Sequence, residues 1–211
     1  MPSTDAFISV LAPLHDDAAI VDDFVRETSA VLSAHFANYE IVLVDDGSKD
    51  GTADKAASLL DRYPCCRLIR LSRRFGMETA ITAGLDSAVG DFAAILLPAM
   101  DPPDKIPDIV RLAREGADIV FGIRRNRKGD PVWLRLGAGL FFRWAEPLFG
   151  VRIPKSVTHF RVLSRPVINA LARTQDSQRY LSLLGSSLGY SSRSYLYDPI
   201  ERSPRPVSST T

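Results

Sequence analysis

The chain has 211 residues, of which 45% are hydrophobic and 24% charged, and its formal net charge is +1. The composition is that of an ordinary globular protein, and the length indicates one domain around a single hydrophobic core. A net charge so close to zero argues against a general nucleic-acid-binding protein, which would be strongly basic.

Apolar runs alternate with segments of helical periodicity in the first part of the chain. The predicted strands are residues 7–12, 39–44, 67–71, 92–97 and 117–122. The predicted helices between them are residues 16–33, 52–60, 76–88 and 105–114. Such alternation is typical of right-handed βαβ units, so we predict an α/β fold with a mostly parallel sheet and helices on both faces.

The pattern changes after Gly129, where residues 130–150 are rich in large apolar and aromatic side chains. We predict an amphipathic helical segment there. A core helix is the favoured interpretation. Because Arg135 and Arg143 are interspersed among the aromatic residues, a helix lying on a membrane surface is the alternative.

The remaining elements complete a single predicted domain over residues 1–202. We predict a strand at residues 160–163, a helix at 166–173 and a last strand at 189–197. Residues 203–211 are rich in Pro, Ser and Thr, and this composition predicts a disordered tail.

The cysteines and the apolar runs predict a cytoplasmic location. Cys65 and Cys66 are adjacent and would point to opposite faces of a strand, so a disulfide framework is not expected. No stretch approaches the roughly 18 consecutive apolar residues of a membrane-spanning helix, and no signal peptide is apparent.

Polar residues follow the predicted strands at the edge where ligands bind in parallel α/β sheets. Acidic residues follow the first two strands, and Arg73 and Arg74 follow the third. Carboxylates accept hydrogen bonds from a base or ribose, and arginines bind phosphates. The glycine patterns of dinucleotide dehydrogenases and of P-loop ATPases are both missing, which disfavours these two classes.

Several of these motifs, in this order and spacing, resemble one known family. They are VLVDDGSKDGT at residues 42–52, LSRRFG at 71–76, AGLDSA at 83–88, DPPD at 101–104 and FRVL at 160–163. The chain resembles family 2 glycosyltransferases with a GT-A fold. The similarity is greatest to the branch with dolichol-phosphate mannose synthase and the bacterial polyprenyl-phosphate glycosyltransferases.

The resemblance implies roles for particular residues. Pro13, Asp17 and Asp46 would cradle the base and ribose of a nucleotide-sugar, while Asp45 would brace the turn. Gly76 would begin a helix whose N–H groups lie near the site; a plain helix-start glycine is an equally good interpretation. Arg161 and Arg202 would contact phosphates of the donor or acceptor, and a surface ion pair is the alternative for each. Apart from the resemblance, residues 124–128 form a basic stretch that is either a solvated loop or a seat for the acceptor phosphate, with Arg124 and Arg127 as its candidate ligands.

The sequence departs from the family's pattern after the fourth strand. The family has Asp-x-Asp there, which binds Mg²⁺ or Mn²⁺, whereas this chain has Leu96 and Pro98 in those positions. No metal cofactor is therefore firmly implied, although Asp101 is a candidate ligand. His159 replaces an Asp of the family; it and Asp101 are the candidate catalytic residues, and an inert substitution is the alternative for His159.

Two functions follow from these observations. The first is transfer of a sugar from a UDP- or GDP-linked donor to a polyprenyl or dolichyl phosphate, at the inner face of the membrane. The second is a catalytically degenerate domain that binds a nucleotide, a sugar or a partner protein. No nucleic-acid partner is expected, and the prediction leaves the oligomeric state open, a homo-oligomer included.

Overall fold

The computed structural model describes residues 4–125, 157–173 and 189–202. Within them the strands form one sheet in the order β3-β2-β1-β4-β6-β5-β7. The strands are β1 Thr4–Leu14, β2 Phe36–Asp45, β3 Cys66–Arg70, β4 Phe92–Ile95, β5 Ile119–Arg124, β6 Val157–Ser164 and β7 Ser192–Tyr197. The helices are α1 Val21–His35, α2 Thr52–Leu59, α3 Met77–Ser87, α4 Ile106–Arg114 and α5 Arg165–Arg173, with a short 3₁₀ helix at Pro103–Lys105 before α4.

Helices cover both faces of the sheet because neighbouring residues of each strand point to opposite sides. Ile41 and Leu43 of β2 pack into a core with α1, α2 and α4. Val42 and Val44 pack into a second core with α3 and α5. The predicted α/β fold with helices on both faces is therefore confirmed.

The sheet is mostly parallel, as predicted, but β6 runs the other way. Four of the six strand pairs are parallel, and β6 pairs antiparallel with both β4 and β5. The start of an antiparallel strand lies at the edge where its parallel neighbours end. Thr158 and His159, near the start of β6, therefore lie at the carboxyl edge of the sheet.

The first helix begins later than the sequence predicts, at Val21 rather than residue 16. The residues before it are held by the loop after β2 instead. Asp16 N–H donates to Ser48 Oγ at 3.0 Å, and Asp17 N–H donates to Thr52 Oγ1 at 2.8 Å. This loop thereby carries Asp17 to the carboxyl edge of the sheet.

Three predicted features lie outside the described residues. They are the segment 130–150, the tail 203–211 and Arg127.

Candidate functional site

Two cavities adjoin at the carboxyl edge of the sheet. The first, which we call the β1/β4 cavity, has a volume of about 320 Å³ and lies between the end of β1 and the loop after β4. Its walls are Pro13, Leu14, His15, Asp17, Asp46, Arg74, Met77, Leu97, Pro98, Ala99 and Met100. The predicted residues Pro13, Asp17 and Asp46 thus line one cavity.

The second, the β2/β3 cavity, has a volume of about 720 Å³. It lies beyond the ends of β2 and β3. Its walls are His15, Asp16, Asp45, Gly47, Ser48, Lys49, Arg70, Leu71, Ser72, Arg73 and Arg74. His15 and Arg74 line both cavities, so the two adjoin at these residues, and together we call them the cleft.

Asp46 connects the end of β2 to the beginning of α3. Its Oδ1 accepts the Phe75 N–H at 2.6 Å, and its Oδ2 accepts the Gly76 N–H at 2.8 Å. Gly76 has a φ of +100°, which favours glycine. The Asp46 carboxylate thus accepts hydrogen bonds from the two backbone amides that directly precede α3. Through this contact Asp46, which lines the β1/β4 cavity, holds Gly76 close to that cavity.

The neighbouring carboxylate, Asp45, has a free oxygen that the sequence analysis did not use. Its Oδ2 accepts the Ser48 N–H at 3.3 Å, whereas its Oδ1 is buried and has no partner among the described residues. Asp45 lines the β2/β3 cavity. A buried acceptor without a donor is costly, so a ligand N–H or O–H that reached this oxygen would relieve that cost.

Asp17 is held by its own loop. Its Oδ2 accepts the His15 N–H at 2.9 Å. Burial raises the pKa of Asp17 above its ordinary value, although that hydrogen bond acts in the opposite direction. Nδ1 of the His15 ring lies 3.1 Å from the carbonyl oxygen of Asp46, which joins this loop to the end of β2.

Asp101 lies inside the protein and lines neither cavity. Its Oδ2 accepts the Leu97 N–H at 2.8 Å, and its Oδ1 lies 2.7 Å from the Tyr197 hydroxyl. Burial raises the pKa of Asp101, and burial together with the Asp101 charge raises the pKa of Tyr197 to about 12. These contacts fix the loop after β4 against β7. They give the predicted catalytic or metal-binding role of Asp101 no support, and it stays a prediction.

His159 and Arg161 extend from β6 toward the first turn of α3. Nδ1 of His159 is 3.8 Å from Oε1 of Glu78. Burial, and then the charge of Arg161, lowers the pKa of His159. The Arg161 side chain is 5% exposed, and its Nη1 has no partner among the described residues. Glu78, which the sequence analysis did not select, is the acidic group that faces both.

The other two predicted phosphate ligands have different environments. Nη2 of Arg124 lies 3.4 Å from Sδ of Met100 and 3.8 Å from Oδ1 of Asp101. The guanidinium of Arg202 pairs with Glu27 at 2.7 Å, and its Nη1 donates to the Pro98 carbonyl. Arg124 thus borders the β4 loop beside the cleft, whereas Arg202 has its partners within the chain.

A divalent metal does not fit the residues of the β4 loop. Leu96 is fully buried in the core, and residues 96–100 carry no oxygen side chain. Over residues 4–125, 157–173 and 189–202, no three His, Cys, Asp or Glu side chains form a group that would hold a metal ion. Mg²⁺ and Mn²⁺ prefer oxygen ligands, so the family's metal has no ligand set in this part of the chain.

Comparison with known proteins places these features in a family context. The sequence pattern of glycosyl transferase family 2 matches residues 9–171. An uncharacterized glycosyltransferase of Synechocystis sp. is 32% identical over 94% of this chain and 62% of its own length. An undecaprenyl-phosphate 4-deoxy-4-formamido-L-arabinose transferase of Pseudomonas syringae is 30% identical over 93% of this chain and 58% of its own length. The chain therefore spans about three fifths of these relatives.

Solved structures share the fold at low sequence identity. A mannosyltransferase from Pyrobaculum calidifontis in complex with GDP-Man and Mn²⁺ superposes with a TM-score of 0.68 at 16% identity, over 99% of this chain and 60% of that one. Glucosyl-3-phosphoglycerate synthase from Mycobacterium tuberculosis, in complex with Mn²⁺, UDP and phosphoglyceric acid, gives 0.65 at 17% identity, over 96% and 72%.

The helices of the described residues are all too short or too polar to cross a membrane. The sheet order, the cleft at its carboxyl edge and the match over residues 9–171 agree with the resemblance that the motifs indicated. The chain belongs to glycosyl transferase family 2.

Proposed function

We propose that this chain is the transferase domain of an enzyme that moves a sugar from a UDP- or GDP-linked donor to a polyprenyl phosphate. The observation that carries the proposal is the composition of the cleft: Asp45, which has a carboxylate oxygen without a partner among the described residues, lines one cavity, and Arg74 lines both. The domain would extend over residues 1–202.

The base of the nucleotide would occupy the β2/β3 cavity. Uracil and guanine both present ring N–H groups, and Oδ1 of Asp45 is an acceptor that no described residue uses. The ribose, diphosphate and sugar would continue past Arg74 into the β1/β4 cavity, between Pro13, Asp17 and Asp46. An arginine at the junction suits a diphosphate because the guanidinium donates several hydrogen bonds to phosphate oxygens.

The acceptor class is supported by the relatives named for undecaprenyl phosphate. In the reaction, a phosphate oxygen of the acceptor would form a bond to C1 of the sugar while the bond from C1 to the nucleoside diphosphate breaks. The leaving diphosphate takes that electron pair. An acceptor phosphate is already ionised near neutral pH, so the step requires no general base. Such an acceptor would place the domain in the cytoplasm, peripheral at the inner face of the membrane.

A non-catalytic domain that binds a nucleotide or sugar is the second candidate. The observation that favours it is the lack of an oxygen ligand at residues 96–100. Both candidates require nucleotide binding, and only the first requires transfer.

The test combines binding and turnover. Isothermal titration calorimetry with UDP and GDP measures binding, and transfer from labelled nucleotide-sugars to undecaprenyl phosphate in detergent micelles measures activity. We expect Asp45→Asn to weaken nucleotide binding by about tenfold, because the amide oxygen would stay with the Ser48 N–H and its NH₂ would face the base N–H.

The matched control is Asp86→Asn, since Asp86 is exposed near the end of α3 and lines neither cavity. Nucleotide binding without transfer from any donor would favour the second candidate. Equal nucleotide affinity in Asp45→Asn, Asp86→Asn and the unmodified chain would refute the placement of the base.

A further inference from the structure

The β4 loop lies among arginines. Arg124 contacts it from β5, at Met100 and Asp101. Arg161 of β6 pairs in the sheet with Ile95, the residue directly before Leu96. Arg74 and the loop residues 97–100 line the same cavity. Arginines of three elements therefore lie near the segment that lacks the acids of a metal site, although Arg124 and Arg161 themselves line neither cavity.

We propose that Arg124 and Arg161 replace the divalent cation in this chain, so that the diphosphate group of its ligand is bound by guanidinium groups without a metal. The inference rests on the proposed function and names the positively charged groups that would bind the diphosphate at the same site. A guanidinium forms charge-assisted hydrogen bonds with phosphate oxygens and offers them a fixed geometry, as a coordinated metal does.

Arg161 has the environment that this role requires. Nε and Nη2 donate to the carbonyl oxygens of His159 and Thr158, both at 3.3 Å, while Nη1 has no partner in the part of the chain that the structure describes. Burying a cation that has an unpaired N–H donor costs free energy unless an anion accepts that hydrogen bond. Glu78, the carboxylate that interacts with it electrostatically, is half exposed at the start of α3.

Arg124, in contrast to Arg161, is accessible from solvent. Its side chain is 24% exposed and borders Met100, which itself lines the β1/β4 cavity. Asp101, at 3.8 Å from Nη2, holds the guanidinium beside the loop. An anion in the cavity would meet Arg124 where the side chain of Met100 now lies, so binding would move this exposed thioether aside.

The experiment titrates the full chain with inorganic pyrophosphate and with UDP and GDP, first in EDTA and then with Mn²⁺. We expect Kd values that agree within about twofold between the two conditions. Arg124→Gln and Arg161→Gln would each weaken pyrophosphate binding in EDTA by about tenfold or more. Arg114→Gln, at an exposed position of α4, is the matched control and would bind as the unmodified chain does.

Thermal unfolding first establishes that each variant folds, and if Arg161→Gln does not, Arg124→Gln decides alone. A tenfold gain with Mn²⁺, no binding of pyrophosphate in EDTA, or unchanged affinity in the folded arginine variants would overturn the inference. Metal-free binding of pyrophosphate without binding of either nucleotide would uphold it and reject the proposed function instead.

Discussion

At the scale of single residues, the partners of a buried carboxylate decide what it does. Asp45, Asp46 and Asp101 are all buried at the carboxyl edge. Asp46 holds two backbone amides and Asp101 holds a loop amide and a tyrosine hydroxyl, whereas one oxygen of Asp45 has no partner among the described residues. Of these three carboxylates, Asp45 is therefore the one with an oxygen that accepts no hydrogen bond from that part of the chain.

The pH dependence of stability tests the environment of Asp101. Because burial raises its pKa in the folded protein, the fold binds its proton more tightly than the unfolded chain does. Its contribution is then present at low pH and is lost as the pH rises from the ordinary value of 3.8 through the folded pKa. Asp101→Asn removes this titration, while an amide can still accept from Leu97 and donate to Tyr197 Oη.

We therefore expect the stability of the unmodified chain, minus that of Asp101→Asn, to fall as the pH rises from about 4. Urea unfolding of both proteins across pH 4–8 measures this difference, from which titrations common to both cancel. A difference that stays constant, or that rises with pH, would show that Asp101 is not stabilised in its protonated form.

The sequence predicted the positions of these side chains better than their roles. Asp45 and Asp46 were correctly placed at the end of a strand, because the apolar run before them ends there. Their roles depend on the face to which each points and on Ser48, Phe75 and Gly76, which come from later loops. No local pattern in the sequence carries that information.

At the scale of the elements, the residues after β7 act as a strap across the β4 loop. Ile200 N–H donates to the Met100 carbonyl at 3.0 Å, and Arg202 N–H donates to the Ala99 carbonyl at 3.1 Å. The Arg202 guanidinium also lies 5.4 Å from the centroid of the Phe24 ring. The segment after β7, the β4 loop and α1, which carries Phe24, are thus joined at the wall of the β1/β4 cavity.

Arg202→Ala tests the strap. We expect a loss of about 2–3 kcal/mol in the free energy of unfolding, since this guanidinium is 8% exposed and bonds both Glu27 and the Pro98 carbonyl. Arg193→Ala is the control, because the Arg193–Glu115 pair is 47% and 44% exposed and such pairs contribute at most about 1 kcal/mol. Urea unfolding measures both losses, and equal losses would contradict the strap.

The element that the sequence could not place is β6. Its strand pattern was recognised, but pairing between strands far apart in the chain depends on the whole sheet. In the sheet, β6 lies between β4 and β5 and runs opposite to both. This insertion brings His159 and Arg161 to the carboxyl edge of the sheet, where Glu78 of α3 faces them.

At the scale of the whole molecule, the sheet separates the groups that stabilise the fold from those that line the cleft. Glu40 lies on β2 five positions before Asp45, roughly 16 Å along the strand. Its Oε1 accepts from the Ser9 hydroxyl at 2.6 Å and from the Val89 N–H at 2.9 Å, and its Oε2 pairs with Arg67 at 2.7 Å. This network, in which Ser9 and Glu40 are buried, connects β1, β2, β3 and the segment that follows α3.

Glu40→Ala is therefore expected to lower the free energy of unfolding by about 2–3 kcal/mol, because it leaves the buried Ser9 hydroxyl and the Val89 amide without their acceptor, while the half-exposed Arg67 keeps the Ser87 carbonyl. At temperatures where the variant stays folded, its affinity for UDP or GDP would remain within about twofold of the unmodified chain, since the cleft lies at the other end of the strand. Urea unfolding and calorimetric titration measure the two quantities separately. A large loss of nucleotide affinity in folded Glu40→Ala would show that the two ends of the sheet are coupled, and a negligible loss of stability would show that the network contributes little to the fold.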